Sequence, residues 1–335
     1  MINKEVSIIV PIYNVEQYLR KCLDSLIAQT YKTIKIWAVI DGSPDNSIEI
    51  VREYEKRDSR IVCVDKENGG YGSALEFAIK EMDSPYFLVC DPDDWLEPNA
   101  VEVLLEQADL NNADITVGDR YDVFSDSNEI IRINSNLRIP EIDPKRVIEG
   151  VDVGKFAFME ISPHSKLFRT SVCKNIIFPH KVSYTDFVLF IVAISNAQKV
   201  LYVNQALSYY LCNRVGNTAT DTNPKKFGYY LTVLESTMSQ VEIHPNKYLF
   251  KRLFDYICFI STEYVNSACS KKEFSPYFER ILKCLRALSK HRNEVMDTRL
   301  LDKKHELLFK LFTNPITSRI GFYWYLYLYR SGNKN

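Results

Sequence analysis

The 335-residue chain lacks the features that announce several large classes of protein. No apolar run approaches the roughly 18–20 residues needed to span a bilayer. The eight cysteines include no CxxC pair, which argues against a zinc site and for a reducing compartment. The five histidines are isolated and no HExxH occurs, so metallopeptidase chemistry is set aside. Glycine is sparse, at 11, and no phosphate-loop pattern (GxxxxGK followed by Ser or Thr) is present. Gly69, Gly70 and Gly72 miss the dinucleotide pattern because Leu75 occupies its last position, and such glycines belong after a first strand. Met1-Ile2-Asn3-Lys4-Glu5 leads directly into an apolar segment, so no signal peptide and a cytoplasmic location are expected. Internal repeats and low-complexity stretches are also missing.

What remains is an ordinary globular composition, 46% hydrophobic and 25% charged, enough to bury a sizeable core. Net charge is −1 but uneven. Residues 271–335 carry 14 Lys and Arg against 6 Asp and Glu, leaving the first 270 residues acidic. A basic last quarter suits an anionic partner: a membrane surface, nucleic acid, or the acidic part of the chain itself. Nucleic acid is the weakest of these, because the basic residues are spread through helices that also carry Glu and Asp.

Read in order, short apolar runs alternate with helical periodicity. Val6–Val10, Ile36–Ile40, Ile61–Val64 and Tyr86–Cys90 read as buried parallel strands. Between them lie helical faces built on Tyr18, Leu19, Cys22 and Leu23, on Ile48, Val51 and Tyr54, and on Leu75, Ala78 and Ile79. Ser43 is expected to cap the second helix, with Pro44 at its first position. This alternation predicts a doubly wound α/β sheet. A helix from Pro98, a strand at 114–117 and short antiparallel strands within 119–143 follow. The segments 200–203 and 208–211 read as two further strands. From Pro224 onward three helices, 224–242, 246–269 and 275–292, are expected, separated by Pro245 and Pro276. The boundary between the two parts falls near 215–225, dividing the chain into 1–220 and 221–335.

The fourth strand ends abruptly at Asp91-Pro92-Asp93-Asp94-Trp95. Ligands of open α/β sheets bind beyond the carboxyl ends of the strands. Three carboxylates there repel one another unless a cation or a set of donors offsets them. The turn therefore reads either as a divalent-metal site facing an anionic ligand or as a cap for the helix near Pro98. His164 and His180 read as hydrogen-bonding residues.

Taken together, Val6-Ser7-Ile8-Ile9-Val10-Pro11-Ile12-Tyr13-Asn14, Asp41-Gly42-Ser43-Pro44-Asp45, Asp91-Pro92-Asp93-Asp94 and Phe178-Pro179 with Tyr184-Thr185-Asp186 resemble the family 2 glycosyltransferases of the GT-A fold. The resemblance covers roughly residues 5–215. It implies a Rossmann-like, mostly parallel nucleotide-sugar domain followed by a helical C-terminal region. Pro11 and Tyr13 would flank the nucleotide base, and Asp41 would accept its N–H. Asn68 and Gly69 would let backbone approach the nucleotide. Asp91 and Pro92 would lie on the donor, and Asp93 would ligate Mn²⁺ or Mg²⁺. Asp94 would cap the turn or support Asp93. Asp186 would be the catalytic base, its alternative being a helix N-cap. Several positions depart from the pattern. Ile40 replaces the first Asp of the DDGS element, Thr185 stands where Glu is commoner, and Leu75-Glu76-Phe77 replaces the usual Arg-Asn after the glycine loop. The QxxRW element and membrane bundle of processive members are missing, which implies single addition.

The implied activity is inverting, metal-dependent transfer from a nucleotide sugar, most simply UDP-linked, to a glycan acceptor on a lipid carrier in surface-polysaccharide synthesis. Two other readings stand beside it. A non-catalytic membrane-associated binding subunit would leave the acidic turn and Asp186 without use. A sugar nucleotidyltransferase would need a basic, glycine-rich segment after the first strand, where Pro11-Ile12-Tyr13-Asn14 stands. The run Ile320–Tyr329, followed by Arg330, is too short to span a bilayer. It suits either the inner membrane face, where Tyr and Trp favour the interface, or docking onto the protein.

Overall fold

The structure is a computed structural model that describes residues 2–139, 141–214, 226–241, 246–266, 271–291 and 310. It separates into two compact units, Met1–Asp221 and Thr222–Asn335.

The first unit is built on a ten-stranded sheet. Strands β1 (Val6–Ile12), β2 (Ile34–Asp41), β3 (Ile61–Lys66) and β4 (Tyr86–Val89) run parallel in the order β3-β2-β1-β4. The intervening helices are α1 (Glu16–Ile27), α2 (Ser47–Arg57) and α3 (Tyr71–Glu81). All seven residues of β1 are buried, because helices cover both faces of a parallel sheet. Val6, Ile8, Val10 and Ile12 pack with α1, α2 and α4 (Ala100–Asn111) in one core, with Leu19, Leu23, Val51 and Leu104 among its members.

Beyond β4 the sheet continues through β9 (Lys166–Arg169), β6 (Ile115–Phe124), β10 (Lys199–Cys212) and the two-residue β5 (Trp95–Leu96). β9 is antiparallel to both neighbours, so β6 and β10 run with the first four strands. β7 (Ile130–Ile133) pairs with β6, and β8 (Val147–Glu149) with β10. A 3₁₀ stretch, Gly150–Phe158, leads towards β9, and α5 (Thr170–Cys173) and α6 (Asp186–Asn196) follow it.

Two expectations change in this unit. The segments around 200–203 and 208–211 form one strand, β10, carried past a register shift between Tyr202 and Ser208. A bulge of this kind mimics a strand break in the sequence pattern. Helix α2 starts at Ser47, so Ser43 and Pro44 precede it as part of a turn. Its first turn is tied by Asp45, whose Oδ1 accepts from the Ser47 N–H at 3.2 Å.

Trp95, Tyr209 and Tyr121 stack in a cross-strand row over β5, β10 and β6, with ring centroids 5.1 and 5.0 Å apart. The Lys21 ammonium caps the row 3.0 Å from the Trp95 ring centroid. This row pins β5, and therefore the acidic turn just before it.

The second unit contains α7 (Lys226–Gln240), α8 (Lys247–Asn266) and α9 (Lys271–Ser289), which pack against one another. Pro276 lies inside α9 rather than before it. Among the described residues, no helix is long and apolar enough to cross a membrane. The aromatic segment 320–330 lies outside the described residues.

Candidate active site

A cleft of about 1220 Å³ opens where the parallel strands end. β1 contributes Pro11 and leads into Tyr13, β2 ends at Asp41, and β4 leads into Asp91, Pro92 and Asp93. This is the edge at which open α/β sheets bind ligands. Tyr13 is 51% exposed, so its ring is presented to the cleft instead of to the core.

Asp41 is buried and organises the glycine-rich loop. Its Oδ1 accepts from Lys66 Nζ at 2.6 Å and from the Gly69 N–H at 2.9 Å, while Oδ2 accepts from the Gly70 N–H at 2.7 Å. Asn68 turns its amide back onto the Asp41 carbonyl at 2.9 Å. Gly69 is buried behind the wall, and it is Gly70, at φ +86, that lines the cleft. Opposite this loop, Asp45 joins the starts of two helices through the Glu16 and Ser47 N–H groups, and Glu16 Oε2 answers the Asn46 N–H at 2.8 Å.

The acidic turn divides its labour. Asp94 is buried, accepts from the Leu211 N–H at 2.7 Å and lies 2.5 Å from His164 Nε2. It therefore fastens the turn to β10 and to His164, a role beyond the cap or support for Asp93 expected of it. The helix α4 begins after Asn99 without a side-chain cap, so the turn does not cap it either. Burial pulls the His164 imidazole down to about 3 and keeps it neutral. Asp93 pairs with Arg214, whose guanidinium also lies over the Tyr18 ring. Asp91 accepts from the Tyr71 hydroxyl at 2.8 Å. Burial, together with the carboxylates of Asp94, Asp186 and Asp93, pushes Asp91 well above the usual range.

Asp186 is the first residue of α6; Thr185 holds the N-cap position without a side-chain hydrogen bond. Asp186 Oδ1 is buried and unpartnered among the described residues, and the residue lines the cleft. Burial raises its pKa to about 6, against the opposing pull of the Tyr71 hydroxyl and Lys166. Lys166 is itself buried, its ammonium held by the Ser162 carbonyl, and burial lowers it to about 7.

Tyr71, Lys166 and Arg214 were not singled out by sequence. Tyr71 sat in plain view inside the glycine-rich loop, but nothing local tells that its hydroxyl reaches two carboxylates. Lys166 opens the short strand β9, and a lysine running straight into Leu167 and Phe168 is the signal that could have marked it.

Two carboxylates and one imidazole offer a mixed oxygen and nitrogen donor set for a divalent cation. Carboxylate atoms of Asp91 and Asp94 and a nitrogen of His164 lie within 4.8 Å of one another. Asp93, the ligand expected from sequence, stands beside them but is paired with Arg214. Burial first, and then the carboxylates of Asp94, Asp186 and Asp93, raise the pKa of Asp91; a cation would relieve the carboxylate repulsion.

The sequence matches the family model "Glycosyl transferase family 2" over residues 7–177. It is 34% identical over 221 residues to the glycosyltransferase GlyA of Streptococcus pneumoniae serotype 4, a match covering 63% of this chain and 31% of GlyA. It is 38% identical over 143 residues to the uncharacterized glycosyltransferase EpsJ of Bacillus subtilis, covering 43% of this chain and 40% of EpsJ. These matches span well under two thirds of either relative. Among solved structures, S. aureus TarS 1–349 in complex with UDP-GlcNAc superposes with a TM-score of 0.75 at 18% identity, covering 98% of this chain and 92% of that one. The mannosyltransferase PcManGT of Pyrobaculum calidifontis, in complex with GDP-Man and Mn²⁺, gives 0.56 at 12% identity, covering 99% and 87%. The sheet order, the helical C-terminal region and the TarS likeness establish the GT-A fold, and the family match over half its length establishes that the chain belongs to glycosyl transferase family 2.

Proposed function

We propose that the protein is an inverting, metal-dependent glycosyltransferase that moves a sugar from a UDP-sugar to a glycan acceptor, one carried on a lipid during surface-polysaccharide synthesis. The observation that carries the reading is Asp186, a cleft carboxylate with an unpartnered oxygen and a pKa of about 6. Such a group is ionised at neutral pH yet basic enough to take the acceptor hydroxyl proton as the oxygen attacks the sugar. A positioned base of this kind contributes about 10²–10⁴-fold. A single base suits direct displacement, with inversion at the sugar carbon.

Donor binding follows from the opposite wall. Tyr13 offers a ring face beside Pro11 for the base. Asp41 Oδ2 accepts one protein N–H and keeps a lone pair for a base N–H. Asn68 and Gly70 bring backbone close to the nucleotide, and Asp91 and Pro92 face the ribose and donor sugar. The UDP-GlcNAc complex of TarS supports a uridine donor. The cation would be held by Asp91 and Asp93, with Asp94 and His164 beside them. When bound, Mn²⁺ or Mg²⁺ supplies the charge that offsets the departing diphosphate.

The aromatic segment 320–330, with Arg319 and Arg330 at its ends, supports a peripheral site on the inner membrane face, where a lipid-linked acceptor would be met. The test is incubation with Mn²⁺ and a panel of nucleotide sugars while release of the nucleoside diphosphate is measured. Turnover or binding with at least one donor is expected; silence with every donor rejects the reading.

A further inference from the structure

Among the described residues, seven carboxylic side chains line the cleft against three basic ones, yet the proposed donor is an anion. Two of the three cations are already engaged. Arg214 is paired with Asp93, and Arg120 with Asp122 and Glu160. Lys181 is the third, and its exposed side chain makes no hydrogen bond or ion pair among the described residues.

The Lys181 backbone, by contrast, is held in place. It adopts φ 55 and donates its N–H to the Gly69 carbonyl at 2.6 Å. Gly70 is packed so closely that a Cβ there would lie 3.0 Å from both Lys181 N and Cα. The glycine loop and the Lys181 loop are therefore one unit, with a mobile four-carbon stem carrying a compact charge over the cleft.

Helix α3 supplies no competing cation. Leu75 is fully buried, and Glu76 turns away to Lys80 and His180. Only Tyr71 and Ala74 of that helix line the cleft. The position filled by Arg-Asn in the resembling family is apolar and acidic here, so side-chain positive charge beside that of a bound cation comes from another element.

We propose that Lys181 binds a phosphate of the donor's nucleoside diphosphate and so sets the preference for diphosphate over bare nucleoside. The proposal rests on the nucleotide-sugar reading of the cleft. In that arrangement the charge is supplied by a loop docked on the glycine turn rather than by α3.

The test is calorimetric titration of the full chain, with Mn²⁺ present, using uridine, UMP and UDP. K181M is expected to bind UDP about tenfold more weakly than the wild type, with uridine affinity unchanged. K181R should restore UDP binding to within about threefold. Uridine binding itself reports that the variant cleft is folded, and K181Q replaces K181M where the latter is not recovered folded. UDP affinity unaltered in the neutral variant overturns the proposal while leaving the nucleotide reading intact. Equal loss of uridine and UDP also overturns it, placing Lys181 on the base or the loop. A wild-type protein that binds none of the three, nor any other nucleoside diphosphate, removes the nucleotide reading and the proposal together.

Discussion

The Tyr71 hydroxyl donates to Asp91 Oδ1 at 2.8 Å and thereby links the first turn of α3 to the acidic turn after β4. The same hydroxyl lowers the pKa of Asp186. One side chain thus bridges the donor-facing carboxylate and the proposed base. Tyr71→Phe keeps the ring and deletes this bridge. Hydrogen bonds to charged groups are worth about 1.5–3 kcal/mol. The expected result is a loss of turnover of about 10–100-fold with a lowered melting temperature, measured by nucleotide release and thermal unfolding. Wild-type turnover in the variant would show the bridge to be incidental.

Asp186 must be ionised to act as a base, and its pKa is about 6. kcat/KM should therefore fall as pH drops below about 6 and level off above it. Asp186→Asn should retain UDP binding, lose about 10²–10⁴-fold in transfer, and abolish the acidic limb of the pH profile. A pH profile of the same shape in the variant would assign the limb to another group.

Lys166 titrates near 7 in the fold but near its ordinary 10.5 when unfolded. Between these values the unfolded chain binds more protons, so stability contributed by this group rises with pH from about 7 to about 10. The buried charge penalises the fold below that window. Comparing the melting temperature of the wild type with that of Lys166→Met across pH 7–9.5 isolates the effect. The wild type should gain relative to the variant as pH rises; parallel curves would contradict it.

Arg214 competes with any cation for Asp93. Arg214→Ala should tighten Mn²⁺ binding in the absence of nucleotide, by about threefold or more, as followed by Mn²⁺ paramagnetic resonance. Chelation with EDTA should in turn weaken UDP binding by the wild type. Unaltered Mn²⁺ affinity in the variant would place the cation away from Asp93.

Much of the fold was legible because its signals are local. The run Val6–Ile12 is apolar on both faces, and only a strand buried on both sides accommodates that pattern. Where a signal depended on distant pairing, the reading slipped. The polar break at Asn204-Gln205 inside β10 looks like a turn, yet the strand continues because β6 supplies partners on either side of the irregularity. Ser43 looked like a helix cap, but its hydroxyl donates to Asp45, which ties two helices at once.

The acidic turn shows the same division. Its place at the end of β4 and its concentration of carboxylates are properties of the sequence, because an apolar strand stopped by Asp91-Pro92 can only end at the sheet's rim. The family pattern likewise points to Asp41, Asp93 and Asp186 from the sequence alone. Only the tertiary structure decided how the three turn carboxylates differ. Asp94 is turned inward to His164 and Leu211, Asp93 meets Arg214 from 121 residues away, and Asp91 is left beside Tyr71 with its charge poorly offset. Three identical side chains within four residues carry no local signal for that partition. It is set by which groups in and beside β9, β10 and α3 the folded chain brings within hydrogen-bond distance, and by how much water that packing excludes.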